Sequence, residues 1–142
     1  MAEKVLLIDD ETEFLEALSE RMRIRGMNVS TADSADSAVT AIDNADYDAI
    51  VLDLQMPDMN GIEMLKIIRK SHPEMQVILL TGQATLEAGI QAMKLGAMDF
   101  MEKPADIDSL TEKIKKAQAK KMVLVEKRTE KKVKDILKTK GW

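Results

Sequence analysis

The chain has 142 residues, of which 45% are hydrophobic and 32% are charged, enough for one globular domain with a core. It has no cysteine, which excludes disulfide frameworks and thiolate metal sites. The net charge is −4, but residues 1–112 carry −13 and residues 113–142 carry +9, so an acidic body precedes a basic tail. The N-terminus does not resemble a secretion signal, and no apolar run approaches the roughly 20 residues that span a bilayer. We therefore expect a cytoplasmic protein that does not enter membranes.

Five short apolar runs predict β-strands, and each is followed by a segment with helical spacing of its apolar residues. The predicted strands are 4–8, 27–32, 49–52, 76–80 and 98–101. The first, third and fourth are almost uninterrupted apolar runs, which is typical of strands buried on both faces. The second alternates, so we expect it to be less covered and near an edge. The strict alternation of strands and helices along the chain predicts an α/β fold, a doubly wound five-stranded parallel sheet with helices on both faces.

The five predicted helices are bounded by residues that begin or end helices. Ser34 or Asp36 should cap the second helix, and Gly26 should end the first. His72, the one histidine, follows the third helix and is expected at the solvated surface. The apolar residues that give the helical pattern are Phe14, Leu15, Leu18, Met22 and Ile24 in the first helix and Ile62, Leu65, Ile67 and Ile68 in the third. The second helix is expected to carry Ala38, Ala41, Ile42 and Ala45 on its inner face.

Side chains that could carry chemistry follow four of the five strands. Asp9 and Asp10 follow the first, Asp53 the third, Thr81 the fourth and Lys103 the fifth. In a doubly wound sheet these ends converge at one edge, where ligands bind. Three carboxylates there repel one another without a cation, and such oxygen ligands suit Mg²⁺. The set predicts phosphoryl transfer with a carboxylate nucleophile that forms an acyl phosphate. The simpler alternatives are a carboxylate that only caps a turn and a structural salt bridge.

The segment that follows Asp53 contains several turn-forming residues. Pro57 disfavours a helical conformation at Met56, and Asn60-Gly61 permits left-handed backbone angles. With the strand-end residues, this segment resembles the receiver domain of two-component response regulators over about residues 4–119. The resemblance implies a flavodoxin-like sheet with strand order 2-1-3-4-5.

The resemblance also implies a role for each residue of the acidic cluster. Asp53 matches the phosphoacceptor, and Asp9 and Asp10 match the acidic pair that holds Mg²⁺. In the family the backbone carbonyl two residues beyond the phosphoacceptor, here that of Gln55, also binds the metal. Gln55 and Gln83 occupy positions that set the speed of dephosphorylation, and two amides there suggest an intermediate phosphoryl lifetime.

The remaining matches concern the response to phosphorylation. Thr81 matches the hydroxyl residue that moves toward the phosphoryl group, and Phe100 matches the aromatic residue that then turns inward. Lys103 matches the invariant lysine, and the Lys103–Pro104 bond matches the family's cis peptide. The resemblance implies a signalling switch phosphorylated by a sensor histidine kinase, a phosphotransfer protein or a small phosphodonor. Its fourth helix, fifth strand and fifth helix would then bind a partner or a second copy.

Two other functions are weighed against a receiver that catalyses only its own phosphorylation and dephosphorylation. The first is a Mg²⁺-dependent phosphatase with an aspartyl-phosphate intermediate. Such enzymes carry a second acid two residues after the nucleophile, and Gln55 stands there instead. The second is a nucleotide-binding module, but the chain has neither a P-loop nor the dinucleotide glycine pattern.

The basic tail extends beyond the part of the chain that resembles the family. We divide the chain into a receiver domain, 1–119, and a basic helical extension, 120–142. From 108 to 140 there is no glycine or proline, which favours helix, with Lys121 interrupting the apolar rhythm. The extension could be a solvated helix, a linker to an output domain, or a dimerising coiled coil with fewer than three clean heptads. Nucleic-acid binding is not expected, because no recognised DNA-binding motif is present.

Overall fold

The computed structural model describes residues 1–57, 60–82 and 86–139, except the side chain of Leu86. In chain order the elements are β1 (Lys4–Ile8), α1 (Thr12–Ile24), β2 (Asn28–Ala32), α2 (Ala35–Asn44), β3 (Ala49–Asp53), α3 (Gly61–Ser71), β4 (Gln76–Thr81), α4 (Leu86–Lys94), β5 (Asp99–Glu102) and α5 (Ile107–Thr139). All strand pairs are parallel, and the sheet order is β2-β1-β3-β4-β5. The predicted doubly wound fold and its C-terminal helix are confirmed.

The apolar runs of β1, β3 and β4 are continuous because helices cover both faces of the sheet. Successive side chains point to opposite faces. Leu6, Ile50 and Leu79 pack on the side of α2 and α3. Their neighbours in sequence, such as Leu7 and Val51, pack on the side of α1 and α5. β2 lies at the edge of the sheet, as expected, and buries only two of its five residues.

The helix boundaries follow from local chemistry. Ser34, rather than Asp36, caps α2, because its hydroxyl accepts the backbone N–H of Ser37 at 3.1 Å. Gly26 follows α1 with a φ of +87°, a conformation that side chains rarely adopt. His72 follows α3 and is partly exposed, with its Nε2 atom 3.3 Å from Asp43 Oδ1.

Three residues of the predicted apolar patterns do not face the core. Ile24 is 80% exposed, and Ile67 is also exposed. Each lies two residues after a buried residue, Met22 or Leu65, which turns it about 200° around the helix. Ala45 is exposed because α2 ends at Asn44.

The helix α5 continues without a break through the predicted boundary at 119–120. Lys121, which interrupts the apolar rhythm, is only 7% exposed. Its Nζ atom lies 2.6 Å from Asp46 Oδ2 and 3.5 Å from Asp48 Oδ1, both in the segment that leads into β3. Arg128, two turns further along, forms an ion pair with Glu74. The first part of the extension is therefore attached to the body by ion pairs. Among the described residues, no helix is long and apolar enough to cross a membrane.

Candidate phosphoryl-transfer site

Side chains at or just after the ends of β1, β3 and β5 meet at the carboxyl edge of the sheet. Oxygen atoms of Asp9, Asp10 and Asp53 all lie within 4.8 Å of one another. The Lys103 Nζ atom lies 2.7 Å from Asp9 Oδ2 and 3.6 Å from Asp53 Oδ2. Thr81 is fully buried at the end of β4, and its carbonyl accepts the backbone N–H of Lys103 at 2.7 Å. Asp9, Asp10, Asp53 and Lys103 therefore form one cluster, and a backbone hydrogen bond links Thr81 to it.

The two buried carboxylates are held in the same way. Asp9 Oδ1 accepts the backbone N–H of Glu11 at 2.9 Å, and Asp53 Oδ1 accepts that of Gln55 at 3.3 Å. Aspartate commonly bonds the backbone two residues ahead, and this fixes the direction of its carboxylate. In each case the other oxygen, Oδ2, is the one near Lys103.

The environment of the cluster shifts the pKa of both Asp53 and Lys103. Burial, followed by the negative charge of Asp9, raises the pKa of Asp53 from 3.8 to about 6, although the Gln55 N–H and the Lys103 charge oppose this. Burial lowers the pKa of Lys103, but the carboxylates of Asp9, Glu11 and Asp53 outweigh it and raise that pKa above its ordinary value. Burial and the neighbouring negative charge therefore both disfavour ionisation of Asp53, and Lys103 offsets them only in part.

The cluster has the properties of a site for a hard divalent cation. Asp9 and Asp53 are 1% and 4% exposed, and Asp10 lies beside them. Asp9 Oδ2 is buried and accepts no hydrogen bond of acceptable geometry from the described residues, although the Lys103 ammonium is near it. Carboxylate oxygens that converge in this way are typical ligands of Mg²⁺. The residues present therefore fit the ion that the sequence predicted.

Two residues that our sequence interpretation missed also contact Lys103. Glu11 Oε1 lies 3.1 Å from the Nζ atom. The Phe14 ring, known from the sequence only as part of the apolar pattern of α1, has its centroid 4.6 Å from the same atom, a distance typical of cation–π contacts. Glu11 directly follows the acidic pair, and Phe14 is one turn further along α1. This adjacency was the signal available in the sequence.

Of the remaining predicted site features, the structure describes Phe100, the Lys103–Pro104 bond and Gln55. Phe100 is partly buried, and a Cβ built on Gly89 of α4 would lie 3.5 Å from its ring. The Lys103–Pro104 peptide bond is cis. Gln55 is exposed at the start of the loop after β3. Gln83 lies outside the described residues.

The loop after Asp53 differs from our expectation in one respect. Asn60 and Gly61 do not adopt left-handed angles, since the described residues with positive φ are Gly26 and Gly96. Instead Asn60 caps α3, with its side chain accepting the Ile62 N–H at 2.7 Å.

Comparison with known proteins agrees with this fold. The family model described as the response regulator receiver domain matches residues 5–115. The C4-dicarboxylate transport transcriptional regulatory protein DctD of Pseudomonas aeruginosa is 34% identical over 126 residues, which are 89% of this chain and 27% of DctD. The chain thus spans about a quarter of the length of that relative.

Solved structures of similar length also match. A response regulator receiver domain protein from Clostridium thermocellum has a TM-score of 0.81 and 35% identity, covering 87% of this chain and 99% of its own. The beryllofluoride-activated NtrC4 receiver domain dimer has a TM-score of 0.78 and 31% identity, covering 83% of this chain and 98% of its own. The chain therefore belongs to the response regulator receiver domain family of two-component signalling.

Proposed function

We propose that the protein is a phosphorylation-controlled switch in which Asp53 is the phosphoacceptor. A sensor histidine kinase, a phosphotransfer protein or a small phosphodonor supplies the phosphoryl group. The observation that carries this proposal is the geometry of Asp53: it is buried, fixed by the Gln55 N–H, and directs Oδ2 toward a cluster with Lys103. With a pKa of about 6, Asp53 is mostly ionised at neutral pH and can act as a nucleophile.

In the proposed reaction an oxygen of Asp53 forms a bond to the phosphorus atom, and the bond between phosphorus and the donor breaks. Lys103 is near enough to donate to a phosphoryl oxygen, and the Thr81 hydroxyl is a second donor at the adjacent strand end. Asp9, Asp10, Asp53 and the backbone carbonyl of Gln55 would hold Mg²⁺. When bound, the ion neutralises charge on the phosphoryl oxygens, which is the main catalytic need in phosphoryl transfer.

Labelling with a small phosphodonor tests this assignment. After incubation with acetyl phosphate and Mg²⁺, intact-mass spectrometry should show one phosphoryl adduct that hydroxylamine removes, because an acyl phosphate is labile to that nucleophile. Asp53→Asn should show no adduct, and the exposed Asp33→Asn should label like the wild type. An adduct that persists in Asp53→Asn contradicts the proposal.

The decay of the phosphoryl adduct in a Gln55→Ala variant shows whether Gln55 tunes the lifetime of the adduct, and an unchanged decay rate would exclude that role.

The family relationship does not favour the phosphatase alternative, since the relatives are regulatory proteins. Gln55 also stands where such an enzyme needs its second acid. We propose that the chain does not turn over external phosphate esters. Sustained release of nitrophenol from nitrophenyl phosphate would contradict this.

We further propose that phosphorylation changes the surface formed by α4, β5 and α5, through Thr81 and Phe100. Ile90 and Met93 of α4 are large apolar side chains exposed near this surface. The NtrC4 receiver domain, which is similar to this chain, forms a dimer in its beryllofluoride-activated form. The C-terminal extension would provide either a second surface for self-association or a linker, because Val133, Ile136 and Leu137 of α5 are exposed.

Light scattering after size exclusion tests which surface associates. We expect a monomer that becomes a dimer when beryllofluoride and Mg²⁺ are added, with Asp53→Asn unresponsive. Ile90→Asp should block this dimer by placing a charge in its apolar contact. A dimer under all conditions that Ile136→Asp disrupts would assign association to the C-terminal helix instead. A monomer under all conditions, with beryllofluoride bound, would contradict self-association.

A further inference from the structure

Glu11 makes a contact that the reaction described above does not use. Its Oε1 atom lies 3.1 Å from Lys103 Nζ, which also contacts Asp9 Oδ2 at 2.7 Å. Glu11 is the N-cap residue of α1, yet its side chain caps no backbone N–H of that helix. Capping would be the ordinary structural reason for a polar side chain at this position. The Glu11 side chain is therefore available to bind Lys103.

The lysine it binds is nearly enclosed, whereas Glu11 itself is open to water. The Lys103 side chain is 12% exposed and that of Glu11 is 66% exposed. Lys103 Nζ is closer to Asp9 and Glu11 than to Asp53, at 2.7, 3.1 and 3.6 Å respectively. The ammonium is thus held slightly away from the phosphoacceptor. Among the described acidic partners of Lys103, only Glu11 is exposed enough for water to solvate its carboxylate when the ion pair breaks.

We propose that Glu11 is a displaceable counter-ion that holds Lys103 in the unphosphorylated state and competes with the phosphoryl group for it. This inference rests on the proposed role of Asp53. When a phosphoryl group or its mimic occupies Asp53, Lys103 donates to it and gives up the bond to Glu11. Asp9 keeps its contact with Lys103, so the lysine moves without losing all its partners. Glu11 is then a positioning residue, because it acts on the phosphoryl group only through Lys103.

Neutralising Glu11 should therefore strengthen binding of the phosphoryl mimic. In calorimetric titration with beryllofluoride at saturating Mg²⁺, Glu11→Gln should bind about two- to fivefold more tightly than the wild type, the range expected for an exposed ion pair. Glu13→Gln is the matched control, since Glu13 is an exposed acid in the first turn of the same helix. It measures the effect of removing one nearby charge that is not bound to Lys103.

The salt dependence of beryllofluoride binding distinguishes a counter-ion role of Glu11 from a structural role. Because Glu11 is exposed, 0.5 M NaCl should screen its pairing with Lys103 and reduce the difference between Glu11→Gln and the wild type toward the Glu13→Gln value. A structural effect of the substitution would not depend on salt in this way. Unfolding curves of the metal-free proteins show whether Glu11→Gln is folded, and we expect it to be, because no cap is lost.

The outcomes also distinguish this inference from the function on which it rests. If the wild type does not bind beryllofluoride, or Asp53→Asn binds it equally well, the proposed function is wrong. If the wild type binds through Asp53 but Glu11→Gln binds no more tightly than Glu13→Gln, only the role of Glu11 is overturned. Weaker binding by Glu11→Gln would likewise overturn it, since a competitor cannot assist the ligand it competes with.

Discussion

Replacing Gly61 with alanine is expected to destabilise the domain by about 2 to 3 kcal/mol, the usual scale for an overpacked backbone contact. A Cβ at this position would lie 2.6 Å from Leu54 Cα, 2.7 Å from Leu54 O and 2.8 Å from Asp53 O. All three are backbone atoms, so no side chain can move aside. The Gly61 N–H also donates to the Leu54 carbonyl at 2.8 Å, which ties the start of α3 to the segment that follows Asp53.

The same substitution should reduce phosphorylation of Asp53 by acetyl phosphate by about tenfold or more, because a shift of this segment misplaces the nucleophile. Urea unfolding and the labelling rate measure the two effects separately. Gly82→Ala is the control for stability, because a Cβ there meets nothing within 4 Å and its φ is not positive. If Gly61→Ala is as stable as Gly82→Ala, the close backbone contact does not restrict this position.

Replacing Asp53 with asparagine is expected to stabilise the metal-free protein at neutral pH. The pKa of Asp53 is raised from 3.8 to about 6, first by burial and then by the charge of Asp9. Ionising this group is therefore costlier in the folded chain than in the unfolded chain, by at most about 3 kcal/mol. We expect Asp53→Asn to be about 1 to 3 kcal/mol more stable than the wild type above pH 7 in EDTA.

The dependence on pH has a definite sign. Between about pH 4 and pH 6 the folded wild type binds the Asp53 proton more tightly than the unfolded chain does, so its stability falls as the pH rises. Below pH 4 the carboxyl is protonated in both states, and the advantage of the variant should disappear. Urea unfolding at several pH values checks this, with the exposed Asp135→Asn as control. An Asp53→Asn advantage that is independent of pH would contradict the electrostatic explanation.

Added Mg²⁺ should reverse the order of stability. A cation bound by Asp9, Asp10 and Asp53 stabilises the folded wild type by mass action, and the variant has lost one of these carboxylates. Equal stabilisation of both proteins by Mg²⁺ would show that Asp53 does not contribute to the ion site.

The sequence by itself determined the order of elements and the sheet because these depend on local patterns. The continuous apolar runs that contain Leu6, Ile50 and Leu79 require cover on both faces, and only alternation with helices supplies it. Parallel strands then bring their carboxyl ends to one edge, so Asp9, Asp53 and Lys103 could be grouped before any distance was known.

Only the tertiary structure decided which residues come into contact when separate elements pack together. Lys121 appeared to interrupt an apolar face, but Asp46 and Asp48, more than 70 positions earlier, make it a buried ion-paired residue. Glu11 contacts Lys103 across 92 positions. Gly61 was expected to serve a left-handed turn, whereas close contact with the backbone of Leu54 restricts it. Periodicity and turn propensity describe neighbours along the chain, whereas these three contacts depend on how separate elements pack together.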